Sequence, residues 1–411
     1  MAKSTITNYD LEHIGELSVS SSQVLDAVRT KLLEPEPRKQ APSFSSAHLA
    51  NLLNLDRRRI NQLASKDGNS LPEGEIPEGS NARHFTLAET LAYVQKFNPR
   101  PRRPDGERGR IICTTVFKGG TGKTTSSFCI AQGLTLRGAR KVLLLDADPQ
   151  GTLTQLAGLA PDVDIDDEST VMPYLYGDQP DLRYAVKKTY WENLDLIPAN
   201  ISLYGADFYL PAKYSKDRSF KFWAAMHRGL MDLAKDYDAI IIDCPPSLNY
   251  LTFNMIFSAD GIIMPIPPNS VDFASSTQFW RLVYQMFEGI LGSTPAQAEN
   301  DAAEDGIPAV KDKKFDFISV VPSRVKPKEM STLITGWMAK AFGEHLTTIS
   351  IPESAAVDNF SFGLMTVYDQ TKAIGSNAAF RKYKDRMDEL VDHVDLQLIR
   401  AWGKDWEMNN E

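Results

Sequence analysis

Seven consecutive residues have the types and the spacing needed to bind a phosphate group: Lys118-Gly119-Gly120-Thr121-Gly122-Lys123-Thr124. The glycines let the backbone turn tightly with its N–H groups pointing inward, and such a concave loop before a helix binds anions. The ammonium of Lys123 would lie on the β- and γ-phosphates of a nucleotide, and the hydroxyl of Thr124 would bind Mg²⁺. This stretch therefore predicts a nucleotide site, which is expected to extend to Thr125.

The start of this loop departs from the ordinary phosphate-loop pattern. That pattern, G-x-x-x-x-G-K-[ST], needs glycine at position 117, where the chain has Phe117 followed by a second lysine, Lys118. This is the deviant form of the Walker A loop. A glycine-rich turn with incidental lysines is the alternative explanation. The nucleotide site is favoured because residues 111–117 predict a buried strand before the loop and residues 123–136 predict a helix after it.

Acidic residues end two further predicted strands. Asp243 closes the apolar run 239–243, and Asp146 and Asp148 follow the run 142–145. Because the carboxyl ends of parallel strands meet at one edge of a sheet, these side chains are expected beside the loop. A single aspartate at a strand end often only caps the next helix. Three of them beside a phosphate loop predict a magnesium site in which Asp243 holds the ion through water.

The large domain alternates between predicted strands and amphipathic helices. Besides those already named, strands are predicted at 194–198, 261–266, 315–321 and 347–351. A last helix at about 377–400 is expected to cover the sheet. Alternation of this kind predicts an α/β fold with a doubly wound, mostly parallel sheet. Residues 292–314 have no apolar period and are predicted to form a mobile insertion.

The residues before this domain have the layout of a winged helix-turn-helix. One helix capped by Ser45 or Ser46, a turn at 54–56 and a second helix at 57–65 are followed by a Gly/Pro-rich wing at 67–80 and a closing helix at 86–97. This order resembles the MerR-type arrangement; a small helical domain with a solvated basic face is the alternative. The side chains expected to reach phosphates and base edges of DNA are Arg57, Arg58, Arg59, Asn61, Gln62 and Arg83.

Length and charge divide the chain into four segments. These are an N-terminal helical segment at 1–37, the DNA-binding domain at 40–97, a linker at 98–110 and the large domain at 111–402. The N-terminal helix is expected either to pack on the next domain or to form a dimer. The linker, with five arginines and three prolines, is predicted to be extended and solvated. Residues 1–110 carry 16 Lys and Arg against 14 Asp and Glu, within a chain of net charge −8, so the basic character is confined to the front.

Four sequence stretches carry a resemblance to a known family: KGGTGKTT, DADPQG, IIIDCPPS and PIPPNSVDF. With them, the chain resembles the large plasmid-type partition proteins of the ParA/MinD group of ATPases, including those of repABC replicons. The resemblance implies that Lys118 reaches the phosphates of the partner across a nucleotide-sandwich dimer and that Asp148 orients the attacking water. It also implies that Asp146 supports the magnesium shell and that Arg324 and Pro352 lie where the family binds the adenine base.

The resemblance implies an ATP-dependent DNA-partition protein with slow hydrolysis of ATP. Its homodimer would bind nucleoid DNA without sequence preference, a ParB-type centromere-binding protein would stimulate hydrolysis, and the front domain would bind an operator and repress the operon. A transcriptional repressor that uses ATP and ADP only as a switch and a MinD-like positioning ATPase are the alternatives. The polar face of the last helix is not consistently basic, which disfavours membrane binding.

The location expected for this protein is the cytoplasm, in association with the nucleoid. No run approaches the 18 apolar residues of a spanning helix, and no signal peptide is recognised. The cysteines Cys113, Cys129 and Cys244 form no C-x-x-C pair, so neither a zinc site nor an iron–sulfur cluster is indicated, and a reducing compartment fits.

Overall fold

The computed structural model describes residues 10–32, 39–65, 70–79, 81–293, 307–354, 364–370 and 376–405. The chain divides into two compact units, 1–40 and 41–411. The first contains α1 (Leu11–Leu32). The helices of the second are α2 (Ser46–Leu53), α3 (Arg57–Ala64), α4 (Leu87–Phe97), α5 (Lys123–Gly138), α6 (Thr152–Leu156), α7 (Met172–Tyr176), α8 (Gly205–Lys216), α9 (His227–Leu233), α10 (Tyr250–Ser258), α11 (Ser270–Ser293), α12 (Glu329–Phe342) and α13 (Asn377–Ala401). None of these described helices is long and apolar enough to cross a membrane.

A mostly parallel sheet forms the centre of the second unit. Its strands within the described part of the chain are β3 (Arg110–Thr114), β4 (Val142–Asp146), β5 (Lys187–Lys188), β6 (Leu194–Ile197), β7 (Ala239–Asp243), β8 (Gly261–Ile266) and β9 (Phe317–Pro322). Their order is β5-β6-β4-β7-β3-β8-β9, and only β5 pairs antiparallel with its neighbour. The predicted α/β fold with a mostly parallel sheet is confirmed.

Helices cover both faces of this sheet. Alternate strand residues point to opposite faces, so Ile112 and Ile241 pack with α5 and α13 in one core, while Ile111 and Ile240 pack with α10 and α11 in the other. Strands β3, β4 and β7 are buried on both faces except at Arg110, which explains their continuous apolar runs.

Two strand predictions need correction, one at its end and one altogether. The first strand stops at Thr114 rather than at position 117, because the chain turns away there to form the loop. The predicted strand at 347–351 is wrong: only the two residues that flank this segment make isolated bridges, Leu346 with Val320 of β9 and Pro352 with Val325, which lies beyond the end of β9. The backbone N–H groups of Thr347 and Ile351 donate to the carbonyl oxygens of Val320 and Pro322 in β9. Between them, the hydroxyl of Thr347 donates to the carbonyl oxygen of Ile349 at 2.9 Å, a local bond that competes with regular strand pairing. Of the predicted insertion at 292–314, residues 294–306 lie outside the described residues.

The front of the second unit forms the predicted pair of helices. Asp56 caps α3 by accepting a hydrogen bond from the backbone of Arg58 at 2.6 Å, and Asn54 turns the chain in the left-handed region at φ 52°. Strands β1 (Phe44–Ser45) and β2 (His84–Phe85) pair antiparallel. The predicted turn and both helices are confirmed, whereas part of the predicted wing, at 67–69 and 80, lies outside the described residues. The DNA-binding role of this arrangement stays a prediction.

The prediction that residues 98–110 form a solvated linker is wrong. Four of its five arginines make ion pairs with acidic residues of the large domain: Arg100 with Asp392 and Asp395, Arg103 with Asp238, Arg108 with Asp260, and Arg110 with Asp316. The two bonds between Arg108 and Asp260 measure 2.6 and 2.7 Å. A run of arginines looks solvated in the sequence because its partners lie 135 to 295 residues away along the chain.

Candidate active site

The glycine-rich loop joins β3 to α5 at the carboxyl edge of the sheet. Gly120 and Gly122 have φ angles of 73° and 91°, values that strain any residue with a Cβ. A Cβ built on Gly119, Gly120 or Gly122 would meet no other atom within 4 Å, so the loop borders open space on that side. The loop therefore forms a cradle at the N-terminus of a 16-residue helix, the geometry that binds phosphate.

A buried ammonium and a buried hydroxyl lie at the base of this cradle. Lys123 is only 6% exposed, and its Nζ donates to the carbonyl oxygen of Lys118 at 2.9 Å. Burial lowers the pKa of Lys123, against the opposing effect of the Asp243 and Asp148 carboxylates. The Oγ1 of Thr121 is buried without a hydrogen-bond partner. An anion in the cradle would give the ammonium a negative charge to pair with and the hydroxyl a hydrogen-bond acceptor.

Two carboxylates occupy neighbouring strand ends beside the loop. Asp243 pairs in register with Thr114 on one side and with Asp146 on the other, and both aspartates are at most 1% exposed. Burial, together with the charge of Asp243, raises the pKa of Asp146 to about 8, and burial raises the pKa of Asp243 to about 7. A bound divalent cation would offset the cost of ionising these two carboxylates.

The polar neighbours of Asp243 fit a magnesium site. The hydroxyl of Ser127 donates a hydrogen bond to Asp243 at 3.1 Å, and the hydroxyl of Thr124 lies close enough to Asp243 to lower the pKa of that carboxyl. Among the described residues, no three His, Cys, Asp or Glu side chains cluster as a complete metal site. Mg²⁺ commonly takes one or two protein oxygens and completes its shell with phosphate and water, so this donor set is sufficient for it.

Asp146 is bonded to the turn and to the short helix α6 that follow β4. Its Oδ2 accepts from the backbone N–H and the hydroxyl of Thr154 at 2.9 and 2.8 Å, and its Oδ1 accepts from the N–H of Asp148 at 3.1 Å. Asp148 is half-buried and close enough to Lys123 to raise the pKa of that ammonium. Asp146 thus holds the turn that presents Asp148 to the site.

Of the two predicted base-pocket residues, Arg324 bonds to the loop and Pro352 lies beside the segment that carries Arg324. Arg324 has a φ of 49°, and its Nη1 donates to the carbonyl oxygen of Gly120 at 3.0 Å. Pro352 bridges to Val325, the next residue, and the hydroxyl of Ser323 donates to the carbonyl oxygen of Thr121 at 2.8 Å. Sequence reasoning missed Ser323, for which no local pattern exists.

Two other residues of the site were also missed, although each had a signal in the sequence. Ser127 follows Lys123 by one turn of α5, and that spacing alone predicts that it shares the face directed at the site. The Nζ of Lys118 lies 2.5 Å from Oδ1 of Asp272, at the start of α11. Asp272 belongs to the PIPPNSVDF stretch that carries part of the family resemblance.

The side chains predicted to contact DNA differ in how exposed they are and in whether they already bond within the protein. Arg57, Arg58, Arg59 and Gln62 are exposed on α3, and Asn61 is half-buried there. Arg83, by contrast, is half-buried, and its Nη1 donates to the carbonyl oxygen of Glu73 at 2.5 Å. Arg83 therefore bonds to the backbone of the predicted wing in this structure.

Proteins with a similar sequence include several that are named for replication or for partitioning. Residues 109–290 match the AAA_31 family, described as an AAA domain. A putative replication protein A of Rhizobium rhizogenes is 26% identical over 401 residues, 93% of each chain. Protein SopA of Escherichia coli K12 is 30% identical over 258 residues, 62% of this chain and 66% of SopA. The chromosome partitioning protein ParA of Myxococcus xanthus is 37% identical over 166 residues, 39% of this chain and 55% of that protein.

Solved structures with a similar fold include two that cover most of the second unit. A cobyrinic acid a,c-diamide synthase from Mycobacterium smegmatis with bound ADP and magnesium is 25% identical, with a TM-score of 0.51 over 74% of this chain and all of that one. A structure titled partition protein covers 97% of this chain and all of its own, with a TM-score of 0.62 at 16% identity. The second likeness concerns the fold alone.

The charge of Asp243 should cost stability when no cation is bound. Because its pKa in the folded protein, about 7, lies above the roughly 3.9 of an unfolded carboxyl, the penalty grows as the pH rises between these values. Asp243→Asn should therefore raise the free energy of unfolding in EDTA at pH 8 by about 1–3 kcal/mol, and the gain should shrink toward pH 4.

Urea unfolding at both pH values measures this difference. Asp236→Asn is the control, because it removes an exposed carboxylate that pairs with Arg183 at 2.7 Å and should change the stability by less than about 1 kcal/mol. A variant at Asp243 that is less stable than wild type at pH 8 would show that its carboxylate is not under electrostatic strain.

Proposed function

The chain is a homologue of the ParA-type partition proteins, and from this premise we propose that it is an ATP-dependent DNA-partition protein that hydrolyses ATP to ADP and phosphate. One observation carries the proposal: the cradle with Lys123, the Thr124–Asp243 pair and the turn with Asp148 all lie at one edge of the sheet. Phosphoryl transfer needs mainly positioning and neutralisation of charge, and these groups supply both.

Each residue of the site has a proposed task. The loop N–H groups and Lys123 hold the β- and γ-phosphates, and Thr124 and Asp243 hold Mg²⁺, which neutralises charge on the phosphate oxygens. Asp148 orients the attacking water, and Asp146 keeps Asp148 in place through the bonds of its turn. The remaining proposed nucleotide contacts are Gly119, Gly120, Thr121, Gly122, Thr125, Arg324 and Pro352. The ADP and magnesium in the cobyrinic acid a,c-diamide synthase support this choice of ligands.

The proposed active form is a homodimer with two nucleotides sandwiched between the protomers. Lys118 of each protomer would act as a catalytic residue on the phosphates bound by the other. This dimer would coat nucleoid DNA, with Lys326, Lys328, Arg381, Lys382 and Lys384 as candidate phosphate contacts. A ParB-type partner would stimulate a slow basal hydrolysis and so release the DNA. The relatives named for partition support this scheme.

A second DNA-binding activity is proposed for the front domain. The exposed side chains of α3 have the chemistry that reads base edges in a major groove, and an operator of its own operon is the proposed target. A repressor that uses the nucleotide only as a switch is the second candidate function. One contact favours it. The side chain of Asn98, which follows α4, donates to the carbonyl oxygen of Arg137 in the last turn of α5. Because α5 begins at Lys123, this contact links the front domain to the helix that starts at the nucleotide site. ATP turnover that rises with a DNA-bound partner would exclude it.

The two lysines of the loop should fail in different ways. Lys123→Ala should abolish nucleotide binding, because it removes the buried charge at the base of the cradle. Lys118→Ala should retain binding by the monomer but lose ATP-driven dimerisation and hydrolysis. Equilibrium binding of a fluorescent ATP analogue and light scattering measure the two properties, and unchanged dimerisation of the Lys118 variant would refute the sandwich dimer.

Specific and general DNA binding should separate by mutation. Arg58→Ala with Gln62→Ala should weaken binding to the operator, by about 1–3 kcal/mol for each lost bidentate base contact. ATP-dependent coating of random DNA should stay nearly unchanged, since it uses the other domain. Gel shifts on operator and scrambled DNA, with ADP and with ATP, measure both. Equal loss on the two DNAs would remove the repressor assignment.

A further inference from the structure

The ammonium of Lys118 already has a partner inside its own protomer. Its Nζ lies 2.5 Å from Oδ1 of Asp272, whose side chain is 8% exposed, whereas 42% of the Lys118 side chain is exposed. The two residues meet because Thr115, at the start of the loop, bonds to Ile263 of β8, and α11 begins shortly after β8 ends. The backbone carbonyl of Lys118 meanwhile accepts from Lys123, so the loop is held at both lysines.

Asp272 is supported independently of Lys118. Asn269 donates from Nδ2 to Oδ2 of Asp272 at 2.5 Å and accepts the backbone N–H of Asp272 at 2.9 Å. Asp272 also lies in the first turn of α11, a 24-residue helix whose N-terminal dipole stabilises a negative charge. The carboxylate therefore keeps stabilising contacts when the ammonium leaves, and the pair can open at a moderate cost.

We propose that Asp272 is a positioning residue that holds Lys118 within its own protomer and that must release it before two protomers close on ATP. The inference rests on the proposed sandwich dimer, in which Lys118 reaches the phosphates bound by the partner. One ammonium cannot occupy both places, so the pair with Asp272 competes with dimer formation. Its effect is to weaken the dimer and to keep the protein monomeric where ATP is scarce.

The size of the effect follows from the exposure of the pair. Partly exposed ion pairs contribute modestly, and a dimer must open two of them, so loss of the carboxylate should lower the dissociation constant of the dimer about five- to thirty-fold. A residue with only a structural role would act in the opposite direction, because damage to the start of α11 would weaken the dimer.

The test is sedimentation velocity with Mg²⁺ and an ATP analogue that resists hydrolysis, on wild type, Asp272→Asn and the control Asp236→Asn. Asp236 forms an ion pair with Arg183 near the opposite end of β7, so its variant removes one carboxylate without touching the loop. We expect the Asp272 variant to dimerise at about five- to thirty-fold lower protein concentration than wild type and the control to match wild type.

The possible outcomes separate the two proposals. If wild type stays monomeric with the analogue, the sandwich dimer is wrong and the competition falls with it. If wild type dimerises and Asp272→Asn dimerises equally or more weakly, the dimer stands and the role of Asp272 is overturned. Should circular dichroism show that Asp272→Asn does not fold, Asp272→Ser replaces it, because serine keeps a side chain that is favourable at a helix start.

Discussion

The structure depends on a constraint at the carboxyl edge of the sheet, where two carboxylates are buried side by side. The parallel register places Asp146 opposite Asp243, and neither has enough water around it to ionise at its ordinary pKa. Ionising both members of such a pair is costly, and the cost falls when cations are near. The ammonium of Lys123 is one of these, and Thr124 offers the oxygen ligand for a second, Mg²⁺. The stability given up here is recovered on binding, which is the usual relation between an active site and its fold.

A second electrostatic network joins the front of the chain to the helix that carries the loop. Arg100, which follows the front domain, and Arg137, near the end of α5, share the carboxylate of Asp392 on α13. Deeper in the structure, Arg140 and Asp395 form an ion pair at 2.8 Å with exposures of 2% and 0%. Removing one partner of such a pair leaves an unpaired buried charge, so the network keeps α4, α5 and α13 together as one body. The helices predicted to bind DNA are therefore joined through ion pairs to the helix that follows the nucleotide cradle, although the sequence between them looks like a linker.

The parts of the fold that sequence reasoning predicted are those with a local pattern. The loop is specified by its glycines and lysines, the sheet edge by aspartates at the ends of apolar runs, and α2 and α3 by their capping residues. The parts that it missed depend on partners far away in sequence. Lys118 and Asp272 are 154 positions apart, and Arg100 and Asp395 are 295 apart, so no window of the sequence shows either pair. The strand prediction for 347–351 failed for another reason. Its composition suits a strand, but the carbonyl oxygen of Ile349 accepts from the hydroxyl of Thr347, and the segment forms no continuous ladder with β9.

The central claim is that the residues gathered at this edge hydrolyse ATP and that Asp148 positions the water for it. The most direct test is the rate of phosphate release from bound ATP in a single turnover with Mg²⁺, on wild type and on Asp148→Ala. We expect both proteins to bind ATP equally well. We expect the variant to release phosphate at least about 100-fold more slowly than wild type, because misplacement of the attacking water alone has an effect of that size. Equal rates in the two proteins would contradict it and would move the role to another carboxylate.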